Sequence, residues 1–221
     1  MTLPSWLPTP ITKSIFKDVN NYVSFSSDYY YEFFKKDLLE PSITFEDKNL
    51  VLNSSKLDCS IKFVKSGKNC NNTLFNCSNC VFDKREVLFC HIVSKRDKNI
   101  IARLKSRYRN YEQSRVPGLL ELDRLEKIRW VKPVIKEYDE NKPPEIVFFD
   151  DLSSEKERII YLWLKEFNFV VILGQNLWDS KQKNLIYIKT AYVIDNDETK
   201  FMFQRLHRKY KKRLELNSGV L

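Results

Sequence analysis

Hydrophobic spacing in this chain switches from a period near 3.6 to a period near 2 around residue 144, and back again after residue 195. Residues 1–12 carry Pro4, Pro8 and Pro10 and read as an extended arm, the start of an N-terminal arm over 1–24. From Ile11 to Leu39 the spacing is helical. It includes the run Tyr29-Tyr30-Tyr31-Glu32-Phe33-Phe34, which suits a core or subunit contact better than an RNA platform, and Pro41 stops it. Short β-like runs such as Leu50-Val51-Leu52 and Ile61-Lys62-Phe63-Val64 follow, then a strand over 86–93 and a basic helix over 97–113. A helix is expected from 119 to about 138, with Pro133 kinking it or starting a second one. Glu145–Phe149, Arg158–Leu164, Phe167–Leu173 and Leu185–Ile194 read as four strands, the middle two a hairpin turning near Glu166. Asp195-Asn196-Asp197-Glu198 then caps a C-terminal helix whose Lys and Arg accumulate toward Arg213. The fold class expected is α+β: N-terminal helices packed on a four-stranded antiparallel sheet, followed by a basic C-terminal helix.

Composition changes this picture little. With 221 residues, 43% hydrophobic and 14% aromatic, the chain can bury a full core, which excludes global disorder. No apolar run reaches the length of a membrane helix, and the first residues lack the pattern of a secretion signal, so a cytoplasmic protein without membrane contact is expected. Charge says more. The net charge is +9, yet residues 95–115 hold eight Lys/Arg against two acids and residues 200–213 hold seven against none. Such concentration suits a polyanion, although two solvated helix faces would give the same count.

Three islands carry candidate chemistry. His91, in Phe89-Cys90-His91, is one of two histidines, and an imidazole titrating near ~6.5 can move protons at neutral pH. A core histidine is the alternative. Arg124 would have Leu120 and Ile128 as helical neighbours, an apolar setting in which a guanidinium needs an anion. That anion would be a phosphate, or Glu121 or Asp123 in a structural salt bridge. Alternation puts Thr190 and Tyr192 on one strand face with Ile186, Ile188 and Ile194, so two hydroxyls at its end could bond a phosphate oxygen or satisfy backbone groups. Arg115, Arg129, Arg205, Lys209 and Lys212 would add electrostatic pull on a nucleic acid.

Phe89-Cys90-His91, Arg124-Leu125-Glu126-Lys127-Ile128-Arg129-Trp130 and Lys189-Thr190-Ala191-Tyr192, in this order, resemble the barnase/EndoU/colicin/RelE-like nuclease superfamily in its phage- and prophage-encoded branch. The resemblance spans roughly residues 25–213. It implies a single nuclease-like domain over 25–221, and a metal-independent endoribonuclease that leaves a 2′,3′-cyclic phosphate. His91 would be the acid/base, Arg124 the phosphate ligand, and Thr190 and Tyr192 the orienting groups. It implies RNA as substrate and leaves room for an antitoxin, immunity or ribosomal partner. Lys127 and Arg129 depart from the family pattern, which puts the register of the second basic group in doubt.

A cysteine-bearing loop over 69–82 looks like an insertion relative to that family. Cys77-x-x-Cys80, with Cys70 and Cys90, could close a tetrahedral zinc site, although the second CxxC of a zinc ribbon is missing and free thiols are the simpler reading. No other cofactor is expected. The competing functional reading is a non-catalytic nucleic-acid-binding protein of the same fold, zinc-stabilised or not. Asp150-Asp151 beside Ser153-Ser154 reads as a loop or cap rather than a metal site.

Overall fold

The computed structural model describes residues 2–11, 43–51, 92, 94–95, 119–120, 122–154, 156–178 and 185–218. The chain divides into two compact units. One comprises Met1–Pro8, Ser42–Val51 and Trp130–Leu221, the other Thr9–Pro41 and Leu52–Arg129.

The first unit is built on a curled six-stranded sheet of β1 (Thr44–Phe45), β2 (Lys48–Val51), β5 (Ile146–Ser154), β6 (Glu157–Leu164), β7 (Phe169–Asn176) and β8 (Leu185–Val193). Across the sheet they lie in the order β1-β2-β8-β7-β6-β5. The four strands read from residues 145–194 are present and antiparallel. The expected four-stranded antiparallel sheet is nevertheless corrected. Residues 44–51 add a hairpin whose second strand pairs with β8 in parallel, Leu50 opposite Ile186, which makes the sheet mixed and six-stranded. Nor are the two described helices on the sheet both N-terminal, since one stands between β2 and β5 and the other follows β8. These are α2 (Val131–Asn141) and α3 (Asp197–Asn217), one on each face.

Those two covers explain why the central strands are apolar on consecutive residues rather than alternating ones. Pairing places Ile160, Leu162, Val171, Leu173, Ala191 and Ile188 on one face, all buried. On that face lies α2, with Val131, Val134 and Ile135 buried and the Trp130 ring edge-on to Phe169 at 5.5 Å. Pro133 is tolerated because it lies in the first turn of α2, where backbone N–H groups have no helical partner. The opposite face presents Phe149, Ile159, Trp163, Val170 and Ile172, which pack with Ile194 and with Phe203 of α3.

Tyr138 of α2 shows how far the sheet curls. Its ring stacks on Phe45 of β1 at 6.2 Å and on Phe148 of β5 at 5.0 Å, although these strands lie at opposite ends of the sheet order. Arg158 of β6 spans the same gap, bonding Glu46 in the β1–β2 turn at 2.5 and 3.0 Å and Asp150 at 2.6 Å. Burial works against the Arg158 charge. Its bonds to the two carboxylates outweigh that and raise its pKa. Asp150 also accepts from Arg213 of α3, so Asp150 and Asp151 belong to a strand and not to a loop or cap. The β1–β2 turn holds Glu46 and Asp47 at φ 49° and 57°, the two-residue hairpin geometry, and Glu46 N donates to Asp139 at 2.8 Å.

In the second unit, β3 (Ser94–Lys95) pairs with β4 (Leu119–Leu120) antiparallel, and α1 (Leu122–Glu126) follows. Leu125, Ile128 and Ile92 are buried, and Ile11 N donates to Glu126 O at 2.9 Å. The helix expected from 119 to about 138, kinked or restarted at Pro133, is thus corrected before Val131 to a strand, a short helix and a 3₁₀ turn at Ile128–Trp130, with α2 as the second helix. The helices expected over 11–39 and 97–113, the strand over 86–93 and the loop 69–82 fall almost wholly outside the described residues.

Candidate functional site

The most distinct surface in the first unit is the outer side of α3. Asn196 caps the helix by accepting from Thr199 N at 2.8 Å, and Asp197 and Glu198 follow at the positive end of the helix dipole. Phe203 is buried, and Leu206 and Tyr210, half-buried, pack against the same sheet face, so the helix cannot rotate without breaking that seam. Its other side follows from helical spacing. Phe201, Arg205, Arg208 and Lys212 fall on one stripe at intervals of three and four, with Lys209 beside it, and all five are exposed. At 1.5 Å per residue the cations from Arg205 to Lys212 extend over about 10 Å. Among the described residues no carboxylate pairs with any of these four cations, whereas Arg213, on the flank, is held by Asp150 and lies over the Tyr210 ring. Arg205, Lys209 and Lys212 were legible in the sequence. Arg208 has the same spacing and was missed.

His207, the second histidine, is half-buried with its ring 5.6 Å from that of Phe149. Burial, then Lys211 and Lys165, hold its imidazole below the usual range.

Thr190 and Tyr192 lie on the sheet face that α3 covers in part. Here the alternation expected for β8 is corrected. The register with β7 shifts between Ile172, opposite Thr190, and Leu173, opposite Ile188, so Lys189 is an extra residue in a β-bulge. Ile186 and Ile188 therefore point to the α2 face. Besides the apolar Val170, Ile172 and Ile194, the polar residues that share this face with Thr190 and Tyr192 are Tyr187, Tyr161, Glu157 and Asp151. Glu157 accepts from the Tyr187 hydroxyl and from Lys189 Nζ at 3.0 Å. Burial and the Glu157 bond push the Tyr187 phenol well above its ordinary range. Tyr161 is pushed up to about 12 by burial, then by Asp151, Tyr192 and Glu157. Both phenols stay protonated at neutral pH, and that of Tyr187 donates to Glu157. Tyr192 also packs against Phe203, ring centroids 6.4 Å apart, so part of its role is structural. Lys189, Tyr187 and Glu157 were not foreseen, because a bulge leaves no mark in hydrophobic alternation.

In the second unit, Arg124 is half-buried on α1 and Arg129 is exposed in the 3₁₀ turn. The helical neighbours expected of Arg124 are corrected, since Leu120 lies in β4 and Ile128 in the 3₁₀ turn. His91, Arg115, Cys70, Cys77, Cys80 and Cys90 lie outside the described residues. No described helix is long and apolar enough to cross a membrane. No family model, no curated protein and no solved structure matches the chain.

Proposed function

We propose that the protein binds RNA along the outer side of α3. The observation that carries this reading is the stripe of exposed cations at Arg205, Arg208, Lys209 and Lys212, unpaired with carboxylates among the described residues, on a helix fixed by its opposite face. Phosphate contacts by Lys and Arg release counterions, so affinity falls steeply with salt. The triple variant R205A/K209A/K212A should bind a labelled RNA more weakly. It should also flatten the plot of log affinity against log salt by about 2, since each phosphate contact contributes roughly 0.7–0.9. A slope equal to that of the parent would leave α3 as a merely solvated face and end this reading.

Cleavage of that RNA is the second reading, that of a cytoplasmic ribonuclease encoded by a phage or other mobile element, with room for an antitoxin, immunity or ribosomal partner. It is favoured by Thr190 and Tyr192 standing on one sheet face, with the bulged Lys189 bonded to Glu157 of that face, within the motif that resembles metal-independent nucleases. In that chemistry the 2′-oxygen attacks phosphorus as its proton leaves to a base. The 5′-oxygen departs with a proton from an acid, leaving a 2′,3′-cyclic phosphate. Each proton transfer is worth about 10²–10⁴-fold. RNA cleavage in the presence of chelator should therefore drop by at least ~10²-fold in H91A at nearly unchanged RNA affinity, while R124A loses rate and binding together. Parental cleavage by H91A, or zinc lost from that variant, would leave the histidine structural and only the binding reading standing.

A further inference from the structure

The stripe on α3 is not purely cationic. Phe201 is 65% exposed and Met202 beside it is 38% exposed. A phenylalanine in water forgoes the stabilisation that burial brings, and Phe201 is not required by the core, which α3 meets through Phe203 on the opposite side. Its azimuth is the telling feature. Successive steps of four, three and four residues from Phe201 reach Arg205, Arg208 and Lys212, so the ring stands at the centre of the basic stripe and at its N-terminal end. The helix is well anchored there, by the Asn196 cap five residues before and by buried Phe203 two residues after.

A stripe that sets one exposed aromatic ring at the head of a row of guanidinium and ammonium groups matches one polyanion better than others. A duplex offers phosphates to the cations but keeps its bases stacked on each other, leaving a ring nothing to cover. A single strand offers both phosphates and exposed base faces. Aromatic stacking on those faces is sequence-tolerant because every base has one. Resting on the reading of α3 as an RNA-binding surface, we infer that its ligand is single-stranded, with Phe201 stacking on an unpaired base while Arg205, Arg208 and Lys212 follow the phosphates. Met202 extends the apolar ledge next to the ring.

The test uses the full chain, a labelled single-stranded oligonucleotide and the duplex of the same sequence, with affinities measured by fluorescence anisotropy over a salt series. The parent should prefer the single strand. F201A should weaken single-strand binding on the order of tenfold, the usual cost of losing one base–aromatic stack, with the salt slope and duplex affinity unchanged. F201W should restore or strengthen it. Phe201 is a surface position, so circular dichroism of the variants should match the parent. Equal affinity of F201A and parent for the single strand would overturn the inference, as would an equal loss on both ligands or a change of oligomeric state in F201A. In those outcomes the R205A/K209A/K212A salt slope can still uphold RNA binding. If neither nucleic acid binds the parent, both readings fall together.

Discussion

Phe203 is the residue through which α3 is held, and removing its ring tests how the helix is mounted. The side chain is 0% exposed, with the rings of Tyr161 at 5.6 Å, Trp163 at 6.0 Å and Phe149 at 6.1 Å. Phe-to-Ala in such a site costs about 3–5 kcal/mol, the transfer of the ring plus the cavity left behind, because three aromatic neighbours on a sheet cannot collapse into it. For a chain of this size that corresponds to a melting temperature lower by roughly 6–20 °C. The companion substitution F201A, one turn-face away and exposed, should cost within about 0.5 kcal/mol. All four tryptophans, Trp6, Trp130, Trp163 and Trp178, belong to the same unit as α3, so tryptophan fluorescence during urea unfolding reports on that unit selectively. The two variants should differ in midpoint with little change in slope. A cost below about 1 kcal/mol for F203A, or equal costs for both, would refute the assignment of inner and outer sides of the helix.

Stability should also depend on pH through two groups with opposite windows. The His207 imidazole is held below its ordinary value by burial and by Lys211 and Lys165, so below about 6.5 the unfolded chain binds more protons and stability falls with pH; H207N should flatten the difference between thermal melts at pH 7.5 and 5.5. Tyr161 is held up to about 12 while an unfolded tyrosine ionises near ~10, so its contribution is full below pH ~10 and is lost as pH rises toward 12. Y161F should raise the midpoint of alkaline unfolding, and an unmoved midpoint would count against the burial described. A Cβ on Gly174 would lie 2.5 Å from Cζ of Tyr187, so G174A should destabilise by about 1–3 kcal/mol, and by clearly less in a Tyr187→Leu background.

What the sequence revealed and what it hid divide along physical lines. The β5–β8 meander and α3 were legible because their signals are local: contiguous apolar runs, a tight turn at Glu166, an Asn cap with acids behind it. The parallel pairing of Leu50 with Ile186 was not, because nothing near either residue encodes a partner so far away in the chain. Pro133 announced a helix start, and α2 does begin there, but the Leu119–Leu120 strand just before α1 carries the same leucine spacing as a helix. Thr190 and Tyr192 do share a face as alternation suggested. The bulge at Lys189 turned two of their expected companions, Ile186 and Ile188, to the other face and brought Tyr187 and Glu157 in, while Ile194 stayed with them. Asp150 looked like a turn residue because its partners, Arg158 and Arg213, come from other elements.

The way the first unit is threaded has a consequence for the order in which the protein assembles. Its sheet needs residues 44–51 and residues 146–193, and the intervening chain belongs mostly to the other unit. Strands β5 to β8 follow one another with short connections and close early, as contacts between near neighbours do, whereas docking β2 on β8 joins residue 51 to residue 187 and must pay for closing a long loop first. During synthesis the N-terminal hairpin therefore waits, unpaired on one side, until the last third of the chain is made. Pulse-labelled hydrogen exchange during refolding should protect amides of β6 and β7 before those of β2. Protection of β2 first would reverse this sequence of events.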